Sequence, residues 1–245
     1  MRLDPRLAEH RRVWEGKPAL RSVYRDYYRR MQAALPPGRV LEIGAGGGHY
    51  RETDDAVVAI DLLATPWLDA VADAERLPFA DASFAGIVLT DVLHHVADPM
   101  AFFHEAARVL APAGRVAMLE PGITPFSWLF YNFLHPEDVD MSADPFQAVV
   151  RSDPFDSNQA IPTLLFAQSR NREAFLGRMP AFRIVERRWL SLLAYPLTGG
   201  FKTWCLIPDA MVGPTLKLEQ GLLPLLGAMM AFRLLVVLER TPEGR

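Results

Sequence analysis

The sequence predicts an α/β fold in which a mostly parallel sheet carries helices on both faces. Short apolar runs alternate with amphipathic helical patterns, as a parallel sheet with crossover helices requires. Most of the runs show no regular alternation of polar and apolar residues, which is typical of strands covered on both faces. The chain has 245 residues, 50% of them hydrophobic, which is enough to bury the core of one large domain.

Seven segments are predicted as strands. Five of them come early in the chain: RVLEI (39–43), AVVAID (56–61), DAVAD (69–73), GIVLT (86–90) and RVAMLE (115–120). The last two are FRIVERRWL from Phe182 and FRLLVVLER from Phe232, with a long insertion containing proline and glycine between them. The spacing fits one open sheet.

Two helices have clear sequence signals. One lies between the fourth and fifth strands, where Asp98 can cap, Pro99 suits the first turn and Gly114 follows the last turn. Its predicted inner face is Met100, Phe103, Ala107 and Leu110. The other precedes the first strand as a packing or lid helix, with Leu20, Val23, Tyr24, Tyr27, Met31 and Leu35 inside and Ser22, Arg25, Asp26, Arg29 and Arg30 largely outside.

Composition and charge exclude several classes of protein. A net charge of −3 without a Lys/Arg tract is not the pattern of a general nucleic-acid binder. One cysteine, Cys205, allows no internal disulfide or multi-cysteine zinc site and favours a reducing compartment. The charged beginning of the chain lacks a signal peptide, so we expect a cytoplasmic protein. The apolar stretch from Gly221 is interrupted by Pro224 and Arg233, and predicts a helix and a buried strand instead of a membrane span.

A glycine-rich turn follows the first strand. In the segment from Glu42 to Gly48, glycines let the backbone approach a ligand that a Cβ atom would exclude. The segment has the pattern E-x-G-x-G-x-G, whereas the dinucleotide pattern G-x-G-x-x-G fails because His49 takes the place of the last glycine. A purely structural turn is the alternative. Asp61, at the end of the second strand, suits a ribose diol, or else it caps the next helix.

The segment after the third strand carries the most specific signal. Its pattern residues are Asp73, Ala74, Glu75, Leu77, Pro78, Phe79, Ser83 and Phe84. With the glycine turn, they resemble the class I S-adenosylmethionine-dependent methyltransferases, in particular the family related to ubiquinone and menaquinone biosynthesis methyltransferases (methyltransferase type 11). The resemblance covers Arg39 to about Glu120.

The resemblance implies a Rossmann-like methyltransferase fold, a seven-stranded sheet with an antiparallel last strand, and inserted lid segments. It implies S-adenosylmethionine as cofactor and S-adenosylhomocysteine as product. Asp73 and Ala74 then contact adenine, while Thr90 and Asp91 border the methionine moiety and Leu93 lies near the sulfonium. The predicted cofactor contacts are Glu42, Gly44, Ala45, Gly46, Gly48, Asp61, Leu62, Asp73, Ala74, Thr90, Asp91 and Leu93.

Candidate catalytic and acceptor-binding residues follow from this placement. His94 and His95 stand where an acceptor approaches, and a neutral imidazole can remove its proton; alternatively they only pack there. Methyl displacement depends mainly on alignment, so a base is not obligatory. The predicted acceptor-binding residues are Tyr24, Tyr28, Glu120, Tyr131, His135 and Asn158. Glu120 could also be a structural cap, and Asn158 could satisfy loop backbone.

We predict a single domain in four segments: a helical cap (1–37), a cofactor-binding core (38–121), a substrate lid insertion (122–180) and the last strands with a second insertion (181–245). The acidic and histidine-containing loop near His135 is interpreted as solvated, and no metal is expected. The second insertion could line an apolar acceptor tunnel or lie on a bilayer, with core packing favoured.

The predicted function is methyl transfer to the oxygen, nitrogen or carbon nucleophile of a small molecule, for example an apolar, glycan-linked or lipid-linked metabolite. Two alternatives remain open: a catalytically silent cofactor-binding or interaction module, and a nicotinamide-dependent oxidoreductase. The expected partners are a small-molecule substrate and no nucleic acid, with peripheral membrane contact allowed and a monomer or homodimer as the assembly.

Overall fold

The computed structural model describes residues 3–54, 56–134 and 138–242. Within them, seven strands form one sheet in the order β3-β2-β1-β4-β5-β7-β6. The strands are β1 (Val40–Ile43), β2 (Val58–Asp61), β3 (Ala70–Val71), β4 (Phe84–Thr90), β5 (Leu110–Pro121), β6 (Phe182–Leu190) and β7 (Arg233–Arg240). The first five run parallel and β7 runs antiparallel to both of its neighbours. The predicted sheet with an antiparallel last strand is confirmed.

Helices cover both faces of the sheet. They are α1 (Pro5–Gly16), α2 (Pro18–Ala34), α3 (Pro99–Val109), α4 (Pro125–Leu134), α5 (Ile161–Phe166), α6 (Ser169–Arg178), α7 (Ala194–Thr198) and α8 (Asp209–Met230). One core cluster joins Phe103 and Phe175 to strand residues such as Leu41. The other cluster packs Tyr24 and Tyr27 of α2 against the opposite face of the sheet, at strand residues such as Val88. The two clusters account for the near-continuous burial of the central strands.

The strand order reverses at β1, which lies between β2 and β4. In open α/β sheets the loops at such a switch point diverge and leave a crevice at the carboxyl ends of the strands. The glycine turn follows β1, Asp61 ends β2, and Asp91 follows β4. Sheet topology alone therefore brings the three predicted cofactor segments to one edge.

The end of α3 differs from the prediction. Asp98 caps the helix by accepting from the amides of Met100 and Ala101. The helix ends at Val109 instead of near Gly114, because β5 already begins at the next residue. Gly114 lies within β5, where a Cβ atom would come 2.8 Å from a backbone oxygen. The glycine is required by close backbone approach, not by a helix end.

The buried face of α3 is also rotated from the predicted one. Its fully buried side chains are Phe102, Phe103, Ala106 and Val109. Met100 and Ala107 pack at the edge of the core. On α2 the predicted inner face is largely correct, but Asp26, expected outside, is buried because it pairs with Arg29 at 2.8 Å and Arg30 at 2.7 Å.

Helix α8 packs on the core with one side only: Val212 belongs to the second core cluster, and Leu216 and Leu223 pack against that cluster. Its buried residues are Val212, Glu219 and Gly227. Its outward side exposes Met211, Leu218, Leu225 and Met229. Glu219 is buried because its carboxylate accepts from backbone amides that open α7, at 3.0 Å from Leu192 N and 2.6 Å from Ala194 N. None of the helices in the described ranges combines the length and hydropathy that a membrane span needs.

Candidate active site

A cavity of about 650 Å³ lies at the carboxyl ends of β1, β2 and β4. The predicted cofactor residues that line it are Glu42, Gly44, Ala45, Gly46, Asp61, Leu62, Asp73, Ala74, Thr90 and Asp91. Gly48 and Leu93 are not among the lining residues. Leu93 is fully buried in the core instead. The structure therefore brings together most of a set that spans almost fifty residues of sequence.

The glycine turn has a shape that side chains would destroy. Gly44, Gly46 and Gly48 all have a positive φ, between 49° and 74°. A Cβ atom on Gly44 would come 2.4 Å from Val92 Cγ2, and one on Gly48 would come 2.6 Å from the Trp67 ring. At Gly46 a Cβ atom would meet nothing closer than 3.8 Å, so a side chain there would extend into the cavity that this residue lines. The bare backbone at Gly46 leaves room for a ligand.

Asp61 ties the end of β2 to this turn. Its Oδ2 accepts from the amide of Gly46 at 2.8 Å and its Oδ1 accepts from the amide of Leu63 at 2.9 Å. Burial raises the pKa of the carboxyl, and the backbone hydrogen bonds oppose that rise. Each carboxylate oxygen has a second lone pair, so the group can still accept from the two hydroxyls of a diol.

Glu42 is a buried acid without a counterion among the described residues. It is 6% exposed, and its Oε2 has no hydrogen-bond partner within the described part of the chain. Burial, with a smaller contribution from nearby Asp61, raises its pKa to about 8. A buried polar atom of this kind normally has a partner, which points to a ligand group at this position.

Acidic side chains of the segment after β3 fix its backbone through hydrogen bonds. Asp73 Oδ1 accepts from the amide of Glu75 at 2.9 Å, and Glu75 Oε1 accepts from the amide of Asp98 at 2.8 Å. Asp73 and Ala74 consequently present an acceptor and an adjacent peptide at the cavity wall. That pair matches an amine donor beside a ring acceptor.

Asp91 is tied to the last strand. It has a φ of 58°, and its Oδ2 accepts from Arg233 Nη2 at 2.9 Å and from the hydroxyl of Tyr24 at 3.0 Å. Arg233 Nη1 also donates to Asp91 Oδ1. The guanidinium stacks over Tyr195, 4.2 Å from its ring centroid. Arg233 is not among the predicted site residues, although a lone arginine in an apolar strand signals a buried partner.

His94 and Glu120 form a buried pair. His94 Nδ1 lies 2.7 Å from Glu120 Oε2, and Glu120 Oε1 accepts from the amides of Val92 at 3.0 Å and Leu93 at 2.8 Å. Glu120 is behind the cavity wall, whereas His94 lines it. With Glu120 Oε2 as the acceptor, Nδ1 is the donor nitrogen and the lone pair of the neutral ring is on Nε2.

The loop after α4 closes against these histidines. Arg151 Nη2 donates to the carbonyl of His94 at 2.9 Å. The ring of His95 lies 6.5 Å from that of Phe155 and 4.2 Å from that of His94, measured between centroids. Gln159 also lines the cavity. The residues 122–180 therefore contribute to the same site as the core segments.

The predicted acceptor residues divide into three groups. Tyr24, Tyr28 and Tyr131 line the cavity. Glu120 and Asn158 do not line it. Glu120 accepts from the backbone amides that follow Asp91, and the Asn158 side chain accepts from the amide of Asp140 and donates to its carbonyl, so both residues have the structural role given as their alternative. His135 lies outside the described residues. In the described ranges, no group of three or more histidine, cysteine or acidic side chains is placed to hold a metal ion.

An aromatic roof, defined by His10, Trp14, His49 and Phe201, lies above the glycine turn. The rings of Trp14 and His49 stack with centroids 4.0 Å apart, and Phe201 stacks on His10 at 4.7 Å. Burial lowers the pKa of His49 to about 3, so this ring is neutral. Phe201 is not among the predicted site residues either, because no local sequence pattern links it to the helices of residues 5–34.

Comparison with known proteins agrees with this geometry. Residues 41–118 match a family model described as a methyltransferase domain. A demethylmenaquinone methyltransferase of Renibacterium salmoninarum is 32% identical over 118 residues, covering 41% of this chain and 50% of that protein. Residues 41–118 are therefore similar to the methyltransferase domain family, and the similarities support a class I S-adenosylmethionine-dependent methyltransferase.

Two further similarities define the extent of the match to class I methyltransferases. A ubiquinone biosynthesis O-methyltransferase of Xanthomonas campestris is 31% identical over 150 residues, covering 50% of this chain and 62% of that protein. The solved structure of an S-adenosylmethionine-dependent methyltransferase of Thermotoga maritima matches 91% of this chain and 92% of its own with a TM-score of 0.53 at 16% identity, a similarity of fold alone. The chain spans about half the length of the first curated relatives it matches.

Proposed function

We propose that this class I methyltransferase transfers a methyl group from S-adenosylmethionine to a nucleophilic atom of a small molecule. One observation carries the proposal. The Asp61 carboxylate accepts from the amide of Gly46 at 2.8 Å, and both residues line a cavity that His94 also lines. The volume of the cavity, about 650 Å³, is within the range of sites that bind small-molecule ligands.

The chain's residues would hold the cofactor by three contacts. Asp61 would accept from the ribose hydroxyls, and Asp73 with the peptide at Ala74 would pair with adenine. Asp91 would lie against the methionine moiety, and the orphaned Glu42 Oε2 offers a further polar contact beneath the turn. The bound cofactor would supply an electrophilic methyl group on a sulfonium. The protein's contribution is to align the acceptor with that methyl and to exclude water.

The aromatic part of the cavity wall favours an apolar acceptor with an aromatic or unsaturated part. The wall includes Tyr24, Phe130, Tyr131 and Tyr195, and aromatic faces bind flat or apolar groups. The two curated relatives above carry names from menaquinone and ubiquinone metabolism, which supports the same class of acceptor. We extend the proposal to a polyprenyl- or lipid-linked acceptor, and the exposed apolar side of α8 supports peripheral contact with a membrane.

His94 is proposed as the proton acceptor for a hydroxyl or ammonium nucleophile. Glu120 orients its ring and favours the tautomer with the lone pair on Nε2. His95 is proposed to pack beside the acceptor, because its ring lies between His94 and the lid residue Phe155. For a carbon nucleophile the same pair would remove the proton after methyl transfer.

The deciding experiment incubates the protein with methyl-labelled S-adenosylmethionine and a metabolite extract of its own host, followed by mass spectrometry. We expect one small-molecule product to acquire the label. Binding of S-adenosylhomocysteine without any labelled product would support the silent-module alternative. Thermal stabilisation by NADH and not by S-adenosylhomocysteine would replace the proposal with the oxidoreductase.

A further inference from the structure

Lys17 lies between α1 and α2 with its ammonium at the centre of a ring of backbone carbonyls. Lys17 Nζ is 2.9 Å from the oxygen of Thr198, 2.8 Å from that of Gly200 and 3.0 Å from that of Trp204, and it also bonds the carbonyl of Lys202. The residue is 6% exposed. In the described ranges no carboxylate forms an ion pair with it, so carbonyl dipoles alone compensate its charge.

The carbonyl loop, defined as residues 198–204, is bent around this ammonium. Gly199 and Gly200 have positive φ values of 73° and 54°. A Cβ atom on Gly199 would come 2.5 Å from the carbonyl oxygen of Trp204. Four carbonyl oxygens that converge on one point repel each other unless a cation lies between them. The shape of the loop therefore depends on Lys17.

The carbonyl loop contributes Phe201 to the aromatic roof. Phe201 stacks on His10 at 4.7 Å, contacts Tyr24 edge-on at 5.8 Å and lies 6.0 Å from His49, measured between ring centroids. Gly199, Gly200, Phe201 and Lys202 all line the cavity. One ammonium group of the N-terminal helices therefore fixes a wall that comes from nearly 200 residues later in the chain.

We propose that Lys17 is a positioning residue whose ammonium acts as an internal cation, organising the carbonyl loop and through Phe201 the roof of the active site. The catalytic consequence rests on the proposed function, but the structural one does not. Removing the side chain beyond Cβ removes the atoms of n-propylammonium. The Lys17→Ala variant should therefore contain a carbonyl ring that an added alkylammonium ion can refill.

The test measures hydrogen–deuterium exchange in the full chain. The amides of Lys202 and Leu206, bonded to Gly199 O at 3.0 Å and Leu197 O at 2.8 Å, report on the carbonyl loop. We expect Lys17→Ala to accelerate their exchange about tenfold or more, and n-propylammonium chloride to restore protection. Tetramethylammonium chloride, which has no N–H donor, should not restore it. Lys217→Ala, on the exposed side of α8, is the matched control and should exchange like the unsubstituted protein.

A second variant keeps the test informative if Lys17→Ala does not fold. Lys17→Met retains the apolar stem, so we expect a folded chain with a fast-exchanging carbonyl loop that n-propylammonium cannot rescue. In the labelled-methyl assay, loss of Lys17 should raise the KM for the acceptor more than it lowers kcat, with rescue only in the alanine variant. Unchanged exchange in both variants, or fast exchange in Lys17→Ala that n-propylammonium leaves unaffected, overturns the proposal. Because exchange needs no turnover, a protein without methyltransferase activity would still test it.

Discussion

Arg233 and Asp91 form an ion pair that joins the first residue of β7 to the turn after β4, across 142 residues of sequence. The two side chains differ in solvent access, since that of Arg233 is 2% exposed and that of Asp91 is 28% exposed. Both residues line the cavity, but the guanidinium is almost fully covered and lies against the rings of Tyr24 and Tyr195. Removing one partner should therefore lower the free energy of unfolding by a different amount from removing the other.

The Asp91→Asn variant should lower the free energy of unfolding by about 3 kcal/mol or more, because it leaves a buried guanidinium without its counterion. Arg233→Met should cost less, about 1–2 kcal/mol, because water can rehydrate the partly exposed carboxylate. Urea unfolding of both variants at neutral pH measures the difference. A larger loss for Arg233→Met than for Asp91→Asn would contradict this account of the pair.

The sequence predicted the parts of the site that depend on local spacing. The glycine turn at Gly44 and Gly46 and the acid at the end of β2 follow directly from strand ends and short-range pattern, and the sheet then places them together. Arg233 and Lys17 could not be found in this way, because their partners lie far away in sequence and consist of one carboxylate or of bare carbonyls. Local pattern does not record such pairings.

Local pattern was also insufficient at Gly114 and in α8, for a related reason. Gly114 has the spacing of a helix end, but the glycine is needed because two backbones approach closely in β5. In α8 the apolar residues surround the helix, so periodicity could not identify the inner face. In both cases the packing of neighbouring elements decided the structure. Such packing does not appear in the pattern of a single sequence.

The Asp61→Ala variant should weaken S-adenosylhomocysteine binding by about 1–3 kcal/mol, because it removes the charge-assisted hydrogen bonds that we propose between Asp61 and the ribose. Asp69→Ala is the matched control, since Asp69 also accepts from a backbone amide of β2, that of Ala59 at 2.8 Å, but does not line the cavity. Isothermal titration calorimetry of both folded variants checks the prediction. Equal affinities for Asp61→Ala and the unsubstituted protein would remove Asp61 from the cofactor site.

Glu42 should make stability fall as pH rises. Its pKa is raised from 4.5 to about 8 by burial, so between these values the folded chain keeps a proton that the unfolded chain has lost. The stability that the protonated Glu42 contributes is therefore lost progressively as the pH rises from 4.5 to about 8. Above pH 8 this loss no longer changes with pH. The Glu42→Gln variant has no titratable group at this position, so this pH dependence of the free energy of unfolding should be absent from it.

We expect the free energy of unfolding of Glu42→Gln, relative to the unsubstituted protein, to increase by about 2–4 kcal/mol from pH 5 to pH 8. Denaturant unfolding at several pH values measures this difference. Glu173→Gln, an exposed acid on α6, serves as the control and should show a flat difference. A flat difference for Glu42→Gln as well would show that Glu42 ionises normally in the folded chain.

The pairing of His94 with Glu120 predicts a specific change in the pH dependence of methyl transfer to a hydroxyl or ammonium acceptor. A base works only when it is unprotonated, so the rate should fall on the acidic side of the profile. His94→Asn should lower kcat by about 10²-fold or more and abolish that acidic limb, while S-adenosylhomocysteine affinity stays close to that of the unsubstituted protein.

Glu120→Gln separates orientation from proton transfer. The glutamine oxygen can still accept from the amides of Val92 and Leu93, but its NH2 group would face His94 Nδ1 and favour the wrong tautomer. We therefore expect a fall in kcat of about tenfold with the folded state retained. His104→Asn, an exposed histidine on α3, should leave kcat and the pH profile unchanged. If His94→Asn retained full kcat with its acidic limb intact, alignment alone would account for catalysis and His94 would be a packing residue.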